Sequence, residues 1–289
     1  MMMAGRGPTL RRWATTLQSN AFLGNAPSLQ NPRKAPDIPK TERSSRRFWK
    51  TVNVHTSEDG HRVRLDERPL RTPLGKALLL PKNKTHLAYL VAAEWNALES
   101  AKIKPHSLPI TSIAARAIDF SEPAQRQEII KDLLKYLDTD TLLCYAPSEE
   151  YDGELRKEQI EISEPIRKWA SELFGAEISA MDGQAIVPHY QTREAKDNIL
   201  TRLVETLTSF QTAGFERAVL ASKSFLTGLA LVCGRLSVED AARGASLETK
   251  YQTRRWGEVE DTHDVDHADL RQQLGSAHCA IINEPIVLK

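Results

Sequence analysis

Residues 52–65, VNVHTSEDGHRVRL, place alternating runs on either side of Asp59-Gly60. Successive side chains of a strand point to opposite faces, so a period of two is the mark of a strand with one buried face. The alternation begins at Phe48: Phe48, Val52 and Val54 stand against Trp49, Thr51 and Asn53, and after the turn Val63 and Leu65 stand against Arg62 and Arg64. Asp-Gly between two such runs predicts a β-hairpin turning at Ser57-Glu58-Asp59-Gly60. Working outward, Leu65 to Pro73 reads as a turn with a short irregular strand, and Ala77 to Leu80 as another short strand stopped by Pro81.

The period then lengthens. Leu87, Leu90, Val91, Trp95 and Leu98 recur at steps of three and four, which predicts one helix over about residues 85–102. Pro105 and Pro109 break the chain after it. Residues 44–110 therefore form a small unit of antiparallel strands with one helix to cover a face. Beyond it the pattern is almost wholly helical, over 110–120, 123–137, 151–174, 193–212, 214–233, 238–256 and 265–283. Gly175, Gly214, Gly234 and Gly257 stand at the expected stops, where glycine adopts a left-handed cap easily. Ser237 before Val238-Glu239-Asp240 reads as an N-cap with acids in the first turn. Ser179 to Pro188 reads as a loop or a short strand. The expected class is α+β: a small antiparallel-β N-terminal domain (44–110), then a mostly α-helical domain (111–289).

Composition bounds the function. Of 289 residues, 40% are hydrophobic and 27% charged, which excludes fibrous and globally disordered classes. Residues 1–43 hold seven basic residues (Arg6, Arg11, Arg12, Arg33, Lys34, Lys40, Arg43) against Asp37 and Glu42. Removing that +5 from the net +1 leaves the body at −4, the wrong sign for neutralising nucleic-acid phosphates. The first 36 residues carry no acid and mix arginines with Leu10, Trp13, Leu17, Phe22 and Leu23, the composition of a mitochondrial transit peptide. Pro27, Pro32, Pro36 and Pro39 then mark a linker. The most apolar run, Ala218 to Cys233, contains Lys223 and reads as a buried helix rather than a membrane span. Cys144, Cys233 and Cys279 make no CxxC pair and no disulfide framework, and each sits in an apolar stretch as a core filler would.

The chain has no Gly-rich phosphate loop, no HExxH and no Gly-x-Ser-x-Gly. Its most enzyme-like stretch is His263-Asp264-Val265-Asp266-His267-Ala268-Asp269, where two histidines four apart could chelate a metal on one helical face. The same acids would also suit a helix start. Glu94-Trp95 combines an acid with a large aromatic, but the helical phase turns Trp95 toward the strands as core. Over 238–256, Ala241, Ala245, Glu248 and Gln252 fall along one stripe that ends near Trp256. That stripe is too polar for a core face and suits a partner surface with an aromatic anchor; alternatively, Glu248 pairs with a neighbouring cation.

Specific blocks add more. Arg47-Phe48-Trp49-Lys50, Leu65-Asp66 with Arg68-Pro69-Leu70-Arg71-Thr72-Pro73, Ala93-Glu94-Trp95, Leu137-Asp138-Thr139-Asp140-Thr141, Leu247-Glu248 with Gln252 and Trp256-Gly257, and His263-Asp264 follow one another from about residue 46 to residue 280. In this order they resemble the mitochondrial ATP synthase assembly factor family that chaperones the α subunit of the soluble catalytic head. The resemblance implies a small β-containing domain followed by an orthogonal helical bundle. It also implies a matrix chaperone that shields the interface of the unassembled α subunit until it joins the β subunit. It implies no enzymatic activity, no cofactor or metal, no nucleic acid, no membrane insertion and a monomeric state. In the family the glutamate ahead of Trp-Gly is functionally important, which falls on Glu248; with Gln252 and Trp256 it forms the expected partner-binding set, although Trp256 could instead seal its helix against the bundle. The rivals are a matrix hydrolase using the His263/Asp264 region and a structural subunit of a respiratory complex.

Overall fold

A computed structural model describes residues 47–183, 190–284 and 286. The expected transit peptide and linker (1–43) and residues 184–188 of the 179–188 stretch lie outside the described residues.

The hairpin forms where the pattern places it. Strand β1 (Val52–Ser57) pairs antiparallel with β2 (Gly60–Leu65) in the register Val52↔Leu65 to Ser57↔Gly60. The short β3 (Arg68–Pro69) and β4 (Leu79–Leu80) share the other edge of β2. Gly60 cannot carry a side chain, because a Cβ there would lie 2.2 Å from the Leu80 carbonyl oxygen and its φ is +136°. The sequence phase fails at one place. Trp49 is 2% exposed and Phe48 64% exposed, the reverse of the alternation. The strand starts only at Val52, because Asp66 folds back to accept the backbone N–H groups of Lys50 and Thr51 at 3.0 and 2.9 Å, turning the preceding segment over the sheet.

Helix α1 (Thr85–Ala97) covers the sheet with Leu87, Ala88 and Val91 buried. It ends five residues short of the expected limit, with Leu98 extended, and Arg47 donates to the terminal carbonyls of Asn96 and Leu98. Trp95 is half-buried and meets Trp49 edge-on at 5.5 Å. The rest is helical: α2 (Pro109–Asp119), α3 (Pro123–Leu133), α4 (Lys135–Asp138), α5 (Glu154–Phe174), α6 (Arg193–Thr206), α7 (Ser209–Ser222), α8 (Phe225–Val232), α9 (Val238–Ala245), α10 (Leu247–Trp256) and α11 (His263–Ile281). Between them β5 (Cys144–Tyr145) and β6 (Met181–Asp182) make a small parallel pair, so 179–188 does contain a strand. The class is α+β, as expected.

Four expected helices are each divided, the one over 123–137 at Leu134 between α3 and α4. Thr208 caps α7 with a reciprocal Gln211 capping box and so separates α6 from α7. Lys223, at φ +55°, and the Ser224 N-cap separate α7 from α8. Ser246 separates α9 from α10. Gly175, Gly234 and Gly257 lie at helix ends with positive φ, and Ser237 caps α9, but Gly214 lies inside α7. The sheet core is not self-contained: Trp49, Val63, Leu65, Leu80, Leu87 and Val91 pack together with Ile113, Phe210, Ala213 and Ala280. Lys84, fully buried, donates to the Ala280 carbonyl at 2.7 Å and pairs with Glu284 at 3.3 Å, which ties the start of α1 to the end of α11.

Because Trp49 fills the space between the sheet and Trp95, Trp49→Ala should lower the unfolding free energy by about 3–5 kcal/mol. Chemical denaturation measures this, and a loss below about 1 kcal/mol would remove Trp49 from the core.

Candidate partner-binding site

Most of the polar residues in the distinctive sequence blocks are consumed in holding the fold. Glu94 caps α2 from the side: its carboxylate accepts the N–H groups of Ile110 (2.7 Å) and Thr111 (2.8 Å) and the Thr111 hydroxyl (2.6 Å). Burial pushes its pKa above the ordinary range, against those three donors, which pull it down. Thr72 donates to Asp119 at the end of α2 at 2.6 Å. Asp138 accepts from the Gln191 N–H and from Lys196, and so fastens α4 to the start of α6. Asp140, 1% exposed, accepts from the N–H groups of Leu142 and Leu226, both at 2.9 Å, and so caps α8.

The Leu247 block differs. Leu247 and Tyr251 are buried with Leu155 and dock α10 on α5. Glu158 completes that contact, accepting from Lys250 at 3.3 Å and the Tyr251 hydroxyl at 2.9 Å. Glu248 is exposed on the same helix, and its described hydrogen bond is to Gln252 Nε2 at 3.0 Å rather than to a cation. The polar stripe is therefore not needed to bury its helix. Trp256 is 71% exposed, so it does not seal the bundle. Its ring stands edge-on to Tyr151 at 6.5 Å, and Tyr151 in turn meets Tyr251 at 5.5 Å. Tyr151 and Asp152 have φ of +50° and +55°, ahead of Gly153 at +78°. Two non-glycine residues in that region store roughly 1–3 kcal/mol each. The strained turn sets Tyr151 beside Trp256, a neighbour that sequence spacing could not reveal; the Tyr151-Asp152-Gly153 turn composition was its only trace.

Glu248 and Gln252 also line a cavity of 530 Å³ shared with His263, Asp266, His267 and Asp269. So His263 does converge with acids, while Asp264 is not among the lining residues. The Val259 N–H donates to His263 Nδ1 at 3.0 Å, a bond that belongs to the start of α11. The lining hydroxyl of Ser222 donates to the Ala218 carbonyl one turn back in α7, and that of Ser246 to the Ala242 carbonyl at the end of α9. Among the described residues no group of three His, Cys, Asp or Glu side chains could hold a metal. The three cysteines are free and half-buried; burial raises all three thiols, Cys233 to about 12, so none of them is an activated nucleophile.

The motif residues thus mostly brace the fold and leave one exposed stripe, Glu248 with Gln252 and Trp256, on α10. The family model described as ATP12 chaperone protein matches residues 46–171. A mitochondrial protein atp12 of Schizosaccharomyces pombe is 40% identical over 242 residues, 83% of each chain, and mitochondrial ATP12 of Saccharomyces cerevisiae is 33% identical over 91% of each. The crystal structure of Atp12 from Paracoccus denitrificans superposes with a TM-score of 0.67 at 29% identity, covering 82% of this chain and 98% of that one. The chain belongs to the ATP12 chaperone family, the ATP synthase assembly factors that its sequence blocks resemble.

Burial holds the Asp140 pKa up to about 6, above the ordinary value of 3.8. The folded state then keeps a proton that the unfolded chain has already released. The contribution of Asp140 is complete below about pH 4 and is lost as pH rises through 6. Wild type should therefore lose on the order of 2–3 kcal/mol relative to Asp140→Asn between pH 4 and 7. Denaturant midpoints across that range measure it, and parallel curves would contradict it.

Proposed function

We propose that this chain binds the unassembled α subunit of ATP synthase in the mitochondrial matrix and shields it until the β subunit takes its place, without catalysing a reaction. Residues 1–43 would act as the cleaved import signal. An α subunit without its partner exposes a large interface that aggregates unless covered. The observation that carries the site is the exposure of Glu248 and Trp256 on a helix already docked by Leu247, Tyr251 and the Glu158 contacts. An exposed aromatic beside directed polar groups is the composition of an interface anchor.

Two measurements test this. A pull-down from matrix extract should enrich free α subunit over β. Glu248→Lys should keep the wild-type melting temperature, because exposed charges contribute only about 0–1 kcal/mol to stability. The same reversal at an interface costs roughly 2–5 kcal/mol, so α binding should weaken at least about tenfold. Unfolding of the variant would make Glu248 structural, and unchanged binding would move the interface elsewhere.

A further inference from the structure

The end of α10 gathers a tryptophan, a tyrosine and an arginine, the three side-chain types that most often carry the energy of an interface. The rings of Trp256 and Tyr151 stand 6.5 Å apart at 70° to one another, which makes a corner. The Arg255 guanidinium lies over both, 5.6 Å from the Tyr151 ring centre and 5.8 Å from that of Trp256. Both distances fall within the roughly 6 Å over which a ring face attracts a cation. Arg254, next in the chain, stands over the Tyr251 ring instead, at 5.5 Å. Tyr151 reaches the corner only through the positive φ of its own backbone and of Asp152, so the strained turn supplies the second ring.

A guanidinium stacked on rings keeps its N–H donors in one plane, set to bind a carboxylate through two parallel bonds. Arg255 is exposed, and among the described residues no hydrogen bond or ion pair takes up those donors. That holds although Asp152 adjoins Tyr151 and Glu258 follows three residues on. The group that completes such a site is planar and anionic, a carboxylate rather than an apolar side chain. Glu248, Gln252 and Arg255 also fall at steps of four and three along one stripe. An acid and a guanidinium therefore stand about 10 Å apart along the helix, with opposite charges at its two ends.

We infer that Arg255, held in the corner of Tyr151 and Trp256, binds an aspartate or glutamate side chain of the α subunit. The inference rests on the proposed function and deepens it. The partner's segment carries an anion where it meets the end of α10 and a cation toward Glu248, and the two charges fix the direction in which it lies. Tyr151 is a positioning residue: it acts through the guanidinium and need not touch the partner.

The test uses the full chain and purified α subunit, with affinity measured by calorimetry at two salt concentrations. Arg255→Gln should bind at least about tenfold more weakly and with a shallower salt dependence. Arg255→Lys keeps the charge without the fork and should stay at least about threefold weaker than wild type. Arg254→Gln, an equal change of charge, should stay within about twofold. Tyr151→Ala should weaken binding in the wild-type background and add nothing to Arg255→Gln, while Tyr151→Phe, which keeps the ring, should bind as wild type. In the free chain, NMR relaxation of the Arg255 Nε–H group should report a restrained side chain in wild type and Tyr151→Phe and a mobile one in Tyr151→Ala. If Arg255→Gln binds as wild type while Glu248→Lys does not, the carboxylate site is wrong and the stripe stands. Equal losses in Arg254→Gln and Arg255→Gln would replace the site with a diffuse positive field, and a mobile Arg255 in the unaltered chain would overturn its positioning by the rings. If the unaltered chain does not retain α subunit at all, the proposed function fails and this inference falls with it.

Discussion

Everything in this fold leans on α7. Its residues Phe210, Ala213, Phe215, Ala218 and Val219 are buried on different sides, and they enter three separate core clusters. A helix buried on most of its sides belongs at the centre of a protein, and only the stretch around Glu216, Arg217 and Leu220 reaches toward solvent. Close approach is what makes the centre possible. A Cβ on Gly214 would stand 3.1 Å from both the Ala277 carbonyl oxygen and Ile281 Cγ2, so α11 crosses α7 at that glycine. One on Gly228 would stand 2.6 Å from Val219 Cγ2 and 2.9 Å from the Val219 nitrogen, so α8 crosses at the other end. Well-packed interiors leave no slack for an added methyl at such crossings.

The central helix sets the distant parts. Because Phe210 and Ala213 reach the sheet cluster, the hairpin and α1 share their core with the bundle. Because α11 is fixed across α7, its first half projects Asp266 and Asp269 toward α10. The proposed partner surface is thus built from exposed ends of helices whose other ends are buried. Rigid backing of this kind holds charged groups in place before a partner arrives, which lowers the entropy lost on binding.

The sequence carried the local features well and the crossings poorly. Asp59-Gly60 between alternating runs located the hairpin, and Ser237 and Gly257 marked real helix ends. Gly214 misled, since a glycine required for helix contact looks the same as one that ends a helix. Thr208 and Ser246 divide expected helices with little sign in the period, because the break lies in a cap or a backbone turn. Trp49 faces inward against the alternation because Asp66, seventeen residues on, bends the chain before the strand begins. Glu248, Gln252 and Trp256 were legible as a stripe too polar for a core. The cavity was not, because Asp269 and Thr141 reach it from segments far along the chain.

The central claim is that the face carrying α10 and the first half of α11 is where the partner sits. Hydrogen–deuterium exchange of the full chain with and without purified α subunit reads this directly, since a covered face exchanges more slowly. The account predicts new protection confined to the strained turn at Tyr151–Gly153 and to residues 246–270, with the sheet and α1 unchanged. Protection of β1–β4 or of α3 and α6, with 246–270 exchanging as in the free chain, would contradict it.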